Sequence, residues 1–137
     1  MEVDTKKVMI LLQRRYNAVR ELDRLTTELE DVVARNDGIS AAMILQMRGD
    51  EMEKAEHCME EIWQLGEGSR EAYVQLQLLV SSDLQKAVGN TDEEKKIFEI
   101  RRKTEDVLVR LRRTDQRLNK RLTGEKSYYR SLEPARP

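Results

Sequence analysis

The sequence contains few side chains that could carry out chemistry, and their spacing does not bring them together. His57 is the only histidine and Cys58 the only cysteine. Adjacent residues on a helix point about 100° apart, so these two side chains are not placed to share a ligand or a proton. Zinc and di-iron sites built on two histidines are excluded. We interpret His57 as a polar-face residue and Cys58 as a small buried one.

Two other patterns could indicate a site, and both have a simpler interpretation. Glu53, Glu56 and Glu60 line one face of a helix, but no second matching helix completes a metal site, so a solvated acidic face is favoured. Gly66 and Gly68 follow a helix rather than a strand and lack the lysine of a phosphate-binding loop, so they indicate a turn. The sequence therefore predicts a non-enzymatic protein with no catalytic residue, cofactor or metal.

Composition indicates long helices with large solvent-exposed faces. The 137 residues are 37% charged and 39% hydrophobic, with only 4% aromatic residues. An average globular domain has about 25% charged and 45–50% apolar residues. No apolar run is long enough to cross a bilayer, and the start does not resemble a signal peptide. With a single cysteine excluding an internal disulfide, we expect a cytoplasmic protein without membrane insertion.

Apolar residues recur at steps of three and four, which predicts an all-α fold. The first helix has a sustained heptad seam at Val8, Leu11, Arg15, Ala18, Leu22, Leu25, Leu29 and Val32. The predicted fold is an elongated antiparallel helical bundle or coiled coil, with a long N-terminal hairpin, a shorter helix and a long C-terminal helix. The helices are expected at residues 4–35, 40–65, 70–88 and 92–122, within one domain over 1–124 that is followed by a flexible tail over 125–137.

Turn and capping residues mark the predicted boundaries. Gly38 is expected to take the left-handed conformation at the end of the first helix. The expected N-terminal caps are Asp37 or Ser40 for the second helix, Ser69 for the third, and a capping box of Thr91 and Glu94 for the fourth.

For several residues of the hairpin, the sequence pattern is compatible with either a buried or an exposed side chain. Arg15 and Arg48 interrupt the apolar seams, and we expect both at a seam edge, with the stem packed and the guanidinium in water. Met43, Met47, Met52 and Met59 lie at helical spacing. They could line a promiscuous groove, but ordinary core filling is favoured.

The last helix has an apolar stripe with polar interruptions. It consists of Ile97, Thr104, Leu108, Leu111, Asp115, Leu118 and Leu122. A helix that only partly fills its stripe is often completed by another chain, which predicts a binding protein. Aspartate at Leu111, Leu118 and Leu122 is then expected to abolish binding while leaving the helices largely intact.

Charge is distributed unevenly between the two halves. Residues 1–68 carry 9 basic and 15 acidic side chains, and residues 69–137 carry 16 and 11. We favour local pairing of the acidic second helix with the basic last helix. A basic surface for nucleic acid is the alternative, but Glu99, Glu105, Asp106 and Asp115 interrupt the cationic run. We therefore expect no nucleic-acid partner.

Two segments resemble the flagellar type III export chaperones of the FlgN/FliT type. The first comprises Leu45-Gln46-Met47-Arg48 with Met52, followed by Trp63-Gln64-Leu65-Gly66 at the end of the hairpin. The second runs from Leu111 through Asp115 to Leu118, Asn119 and Leu122 and is similar to the family's substrate-binding end. A paired-asparagine pattern of that family appears here only as Asp115 and Asn119.

The resemblance implies an export chaperone that binds an amphipathic helical segment of a flagellar hook-filament junction or filament-cap protein. The implied partner-binding residues are Leu108, Leu111, Leu118, Leu122, Tyr128 and Tyr129. The last two could instead contact the export apparatus, or fold back on the bundle as tail aromatics. The alternative to a chaperone is a coiled-coil structural or adaptor protein that homodimerises through the same stripe, so both a monomer and a homodimer are open.

Overall fold

Four α-helices form a bundle in the computed structural model, which describes residues 2–121; the first two are antiparallel, and the last runs parallel to the first. They are α1 (Thr5–Ala34), α2 (Gly38–Gln64), α3 (Arg70–Val80) and α4 (Asp92–Arg121). Helix α1 packs along both α2 and α4, and α3 packs against α4. No strand occurs among residues 2–121, and none of the helices there is long and apolar enough to cross a membrane. The predicted all-α bundle with a long N-terminal hairpin is confirmed.

The core forms three apolar clusters. One contains Val8 and Leu11 of α1, with Ile62 and Trp63 of α2, residues of α3, and the start of α4. A second joins Leu22, Met52 and Leu108. The third joins Leu25, Leu29, Val32, Ile44 and Leu118 next to the turn between α1 and α2. We call that end of the molecule the hairpin tip.

The hairpin turn differs from the expectation in one residue. Asn36 takes the left-handed conformation with φ 59°, and Gly38 is the first residue of α2. At helix ends this conformation is most often adopted by glycine, and asparagine is the next most tolerant residue type. The backbone N–H of Asp37 donates to the Val32 carbonyl at 2.9 Å, which closes the end of α1, and the Asp37 side chain accepts from the Ser40 N–H.

The cap at Ser69 is confirmed, and the predicted capping box is confirmed only for Thr91, because the Glu94 carboxylate accepts from Asn90 rather than from Thr91. Ser69 accepts from the Ala72 N–H at the start of α3. Thr91 accepts from the Glu94 N–H, and the Glu94 carboxylate accepts from the Asn90 N–H. These side chains satisfy backbone donors that have no partner within the helix.

Helix α3 ends at Val80, so the predicted end at Val88 is wrong. The Asp83 side chain accepts from the Gln85 N–H and forms a local turn that competes with the helix. From α4, the Arg101 guanidinium donates to the Leu79 and Ser82 carbonyls, and Arg102 donates to the Leu84 carbonyl. The two arginines supply hydrogen bonds to carbonyl groups that a continuing helix would otherwise satisfy. The segment after Val80 therefore does not need to be helical.

Replacing Gly49 with alanine is expected to stabilise the protein by up to about 1 kcal/mol, because alanine is the better helix former. A Cβ atom at Gly49 would meet nothing within 4 Å. The midpoint of urea unfolding should rise. Gly89→Ala provides the contrast, because its Cβ would lie 2.6 Å from the Lys95 backbone nitrogen and force the loop to shift. A lower midpoint for Gly49→Ala would contradict the prediction.

Candidate protein-binding surface

The leucines predicted to bind a partner are buried inside the bundle. Leu108 and Leu111 pack against Ala18, Val19 and Leu22 of α1 and Met52 and Ala55 of α2. Leu118 packs at the hairpin tip with Ile44. All three are at most 2% exposed. The expectation that the chain leaves this stripe incomplete is therefore wrong, because α1 and α2 fill it.

The polar residues of the same stripe are satisfied within the chain. Thr104 donates its hydroxyl hydrogen to the Ile100 carbonyl at 2.8 Å, one turn earlier. Asp115 accepts from Arg48 Nη2 at 2.7 Å across the core. The stripe thus continues through its polar positions without a partner chain. The remaining predicted site residues, Leu122, Tyr128 and Tyr129, and the tail over 125–137 lie outside the described residues.

Arg15 and Arg48 are both buried, so their expected position at a seam edge is wrong. The Arg48 side chain is 1% exposed and that of Asp115 4% exposed, and the pair joins α2 to α4. Arg15 lies in the core of α1, where burial lowers the pKa of its guanidinium to about 10 although the nearby Glu105 charge opposes that effect. Each arginine has a carboxylate nearby that is distant in the sequence, which local spacing does not reveal.

The basic face of α4 pairs with α1. Arg110 Nη2 lies 3.5 Å from the Asp23 carboxylate, and Arg117 Nε lies 3.1 Å from the Glu30 carboxylate. The sequence predicted that the basic residues of α4 pair with the acidic residues of α2, whereas these two arginines pair with α1. The carboxylates of α1 fill that role because α4 packs along α1.

Exposed apolar side chains lie on several helices, and three of them are aligned on the first half of α2. Ile39, Met43 and Met47 are 80%, 62% and 44% exposed and follow one another at steps of four residues, so they lie on one face of the helix. We call them the hairpin-tip stripe. Met52 and Met59 are buried, so the methionines divide into two core residues and two surface residues. The step-of-four spacing from Ile39 was the signal in the sequence for this stripe.

The hairpin-tip stripe and the end of α4 share one end of the molecule. Ile44 lies in α2 between Met43 and Met47, and it packs in the same cluster as Leu118 near the end of α4. The chain therefore leaves the described bundle, after Arg121, at the end that carries the exposed stripe.

The groups considered for chemistry lie apart on α2. The ring nitrogens of exposed His57 lie 3.7 Å from Glu60 and 3.2 Å from Glu61, whereas Cys58 is buried. Burial is the main cause that raises the pKa of the Cys58 thiol, which favours the unreactive protonated form. No group of three or more histidine, cysteine, aspartate or glutamate side chains within residues 2–121 is arranged to hold a metal ion.

Comparison of the chain with protein-family models, curated proteins and solved structures found no match.

Proposed function

We propose that the protein is a non-enzymatic export chaperone that acts in the cytoplasm and binds an amphipathic helical segment of a flagellar hook-filament junction or filament-cap protein. The exposed hairpin-tip stripe is the observation that carries the protein-binding part of this proposal. Large apolar side chains aligned on a helix face and open to solvent are typical of interaction sites. The flagellar part is supported by the resemblance of the two segments described from the sequence.

In the proposed complex, the partner helix lies along the first half of α2. Residues 39–47 span about 12 Å, or two helical turns, which matches apolar anchors at positions i, i+3 or i+4, and i+7 of the partner. Methionine side chains adapt to differently shaped partners because they are unbranched and polarisable. Asp50 follows on the same face and favours a partner with a basic residue at its flank.

The α4 leucines have a different role in this proposal from the one expected from the sequence. Leu108, Leu111 and Leu118 hold α4 on the hairpin, and they can contact a partner only if α4 leaves its place. Leu122, Tyr128 and Tyr129 follow Arg121 in the sequence. We propose that they extend the contact with the export substrate or the export apparatus.

The decisive variant is Met43→Asp/Met47→Asp. Each apolar side chain that is buried by the partner contributes about 1.5–3 kcal/mol, so losing two should weaken binding at least about 100-fold. The measurement is calorimetric titration with purified terminal segments of hook-filament junction and filament-cap proteins. The matched control is Val74→Asp/Leu78→Asp, which changes an exposed apolar pair at the same spacing on α3 and should bind like the wild type.

The results separate the proposal from its alternative. Equal affinity of the wild type and Met43→Asp/Met47→Asp, or no binding by the wild type, would refute the proposed chaperone site. A wild type that forms a tight dimer without any partner, and a monomer after Met43→Asp/Met47→Asp, would favour the homodimeric adaptor. Sedimentation at several protein concentrations gives that answer.

A further inference from the structure

A row of basic side chains lies on the second half of α4. It consists of Arg110, Arg113, Arg117 and Lys120, which are all exposed to solvent. They follow one another at steps of three, four and three residues, so they lie on one face of the helix. Asp115 is the only acidic residue between positions 107 and 121, and it is buried, so no carboxylate of α4 interrupts the face. We call this set the basic row.

The second half of α2 carries a row of mostly acidic side chains with the same spacing. It consists of Asp50, Glu53, His57 and Glu60, which are exposed and again follow at steps of three, four and three residues. Lys54 is the one lysine or arginine between positions 50 and 61, and its Nζ lies 2.9 Å from the carboxylate of a glutamate one turn earlier. The face therefore stays negative. We call this set the acidic row.

The bundle neutralises the two rows only in part. Two arginines of the basic row lie 3.5 Å and 3.1 Å from carboxylates of α1. Within residues 2–121, Glu53, Arg113 and Lys120 have no ion-pair partner. Each row lies on the exposed side of its helix, and α1 packs along both helices, so one molecule does not bring its own two rows together. Their charges are left available to another molecule.

We propose that the basic row of one molecule binds the acidic row of a second copy of the chain. Steps of three, four and three read the same in either direction, so the charges align over about 15 Å in a parallel or an antiparallel pairing of the helices. The net charge is −1, so copies of the chain do not strongly repel one another as they approach. The complementary rows then set the orientation of the contact.

Such a contact joins two different surfaces, so it is heterologous. A copy that uses one row keeps the other free, and further copies can add head to tail. The contact uses residues of α2 other than the hairpin-tip stripe and is independent of the proposed export substrate.

The first test is the salt dependence of self-association, measured by sedimentation of the full chain at several protein concentrations. Exposed ion pairs are individually weak and are screened by salt. The mass of the wild type should rise with concentration at low ionic strength, and Kd should rise at least about 10-fold between about 50 mM and about 500 mM NaCl. Association that persists at high salt and is lost in Met43→Asp/Met47→Asp would assign the contact to the hairpin-tip stripe and overturn the proposal.

Charge reversal in the acidic row tests whether these residues make the contact. Glu53→Lys/Glu60→Lys should weaken association at least about 10-fold at low salt, because two aligned pairs become repulsive. The matched control is Glu2→Lys/Glu67→Lys, which changes the net charge by the same amount at exposed positions outside both rows and should associate like the wild type. Equal weakening by the control would show that net charge alone governs association and would refute the contact.

Compensating reversals in the basic row identify the orientation of the helices. Adding Arg113→Glu/Lys120→Glu to the acidic-row variant restores opposite charges at the reversed positions if the helices are parallel. Adding Arg110→Glu/Arg117→Glu does so if they are antiparallel. Both combinations return the chain to its original net charge, and circular dichroism verifies that each variant is folded. Association should recover in one of the two, and recovery in neither would overturn the proposal.

His57→Glu provides a gain of function, because it completes the acidic row at a side chain that is 70% exposed. This position faces Arg117 in the parallel pairing and Arg113 in the antiparallel one, so a new ion pair forms in either case. Kd should fall by about 2–5-fold at low salt. A wild type that stays monomeric at low salt, or a His57→Glu variant that associates no more tightly than the wild type, would contradict the alignment of the rows.

Discussion

Replacing Asp115 with alanine is expected to destabilise the protein by about 3–5 kcal/mol, because the change removes the carboxylate that faces the Arg48 guanidinium in the core. Arg48 is among the largest fully buried side chains, and its Nη2 lies 2.7 Å from Asp115 Oδ1. A buried cation that loses this partner does not regain the hydration that it has in the unfolded chain. Urea unfolding followed by circular dichroism measures the loss.

Two further variants identify the cause of that loss. Arg48→Met/Asp115→Leu replaces both charges with apolar groups and should recover most of the lost stability, because burying an ion pair is itself costly. Glu30→Ala breaks the Arg117–Glu30 pair, which joins α1 to α4 at a more exposed position, and should cost no more than about 1 kcal/mol. A cost for Asp115→Ala as small as that for Glu30→Ala would show that the buried pair contributes little.

Leu111→Ala is expected to cost about 2–5 kcal/mol, the range for truncating a fully buried leucine. Leu111 is 1% exposed and packs among residues of α1 and α2. The control is Val109→Ala on the same helix, where the side chain is 37% exposed and the cost should be below about 1 kcal/mol. Chemical unfolding of the two variants in parallel gives the comparison.

The burial of Leu111 reverses the expectation from the sequence that aspartate at this position would leave the helices largely intact. A partner-binding leucine could be replaced with aspartate while the helices stay intact, whereas a leucine in the core could not. Burial of Leu111 means that Leu111→Asp should reduce the helical signal at 25 °C, since an unpaired charge would enter the core. A fully helical and stable Leu111→Asp variant would show that α4 does not depend on this contact.

Most of the secondary structure was predictable because its signals are local. The heptad seams of α1 and α2 and the caps at Ser69 and Thr91 depend on residues within a few positions of one another. The end of α3 was not predictable in this way. It depends on Arg101 and Arg102, which are close only after α4 has packed against α3.

The candidate surface was predicted less well, for a related reason. Spacing places Leu108, Leu111 and Leu118 on one face of α4 but does not show what that face contacts. Polar interruptions suggested an open stripe, whereas Asp115 is matched by Arg48, 67 positions away in the sequence. The exposure of Met43 could have been inferred from its spacing relative to Ile39, because both lie on the side of α2 away from its core residues, whereas Met47 lies at the edge of that side.

The Arg48–Asp115 pair also selects one alignment of α4 against the hairpin. Apolar residues that repeat every three or four positions allow a helix to slide by one heptad, about 10 Å, and still find apolar neighbours. In a slid arrangement Asp115 and Arg48 would no longer face each other, so two charges would be buried apart. The pair therefore excludes alternative registers that the leucines alone would tolerate, in the way that a buried polar contact fixes the register of a coiled coil.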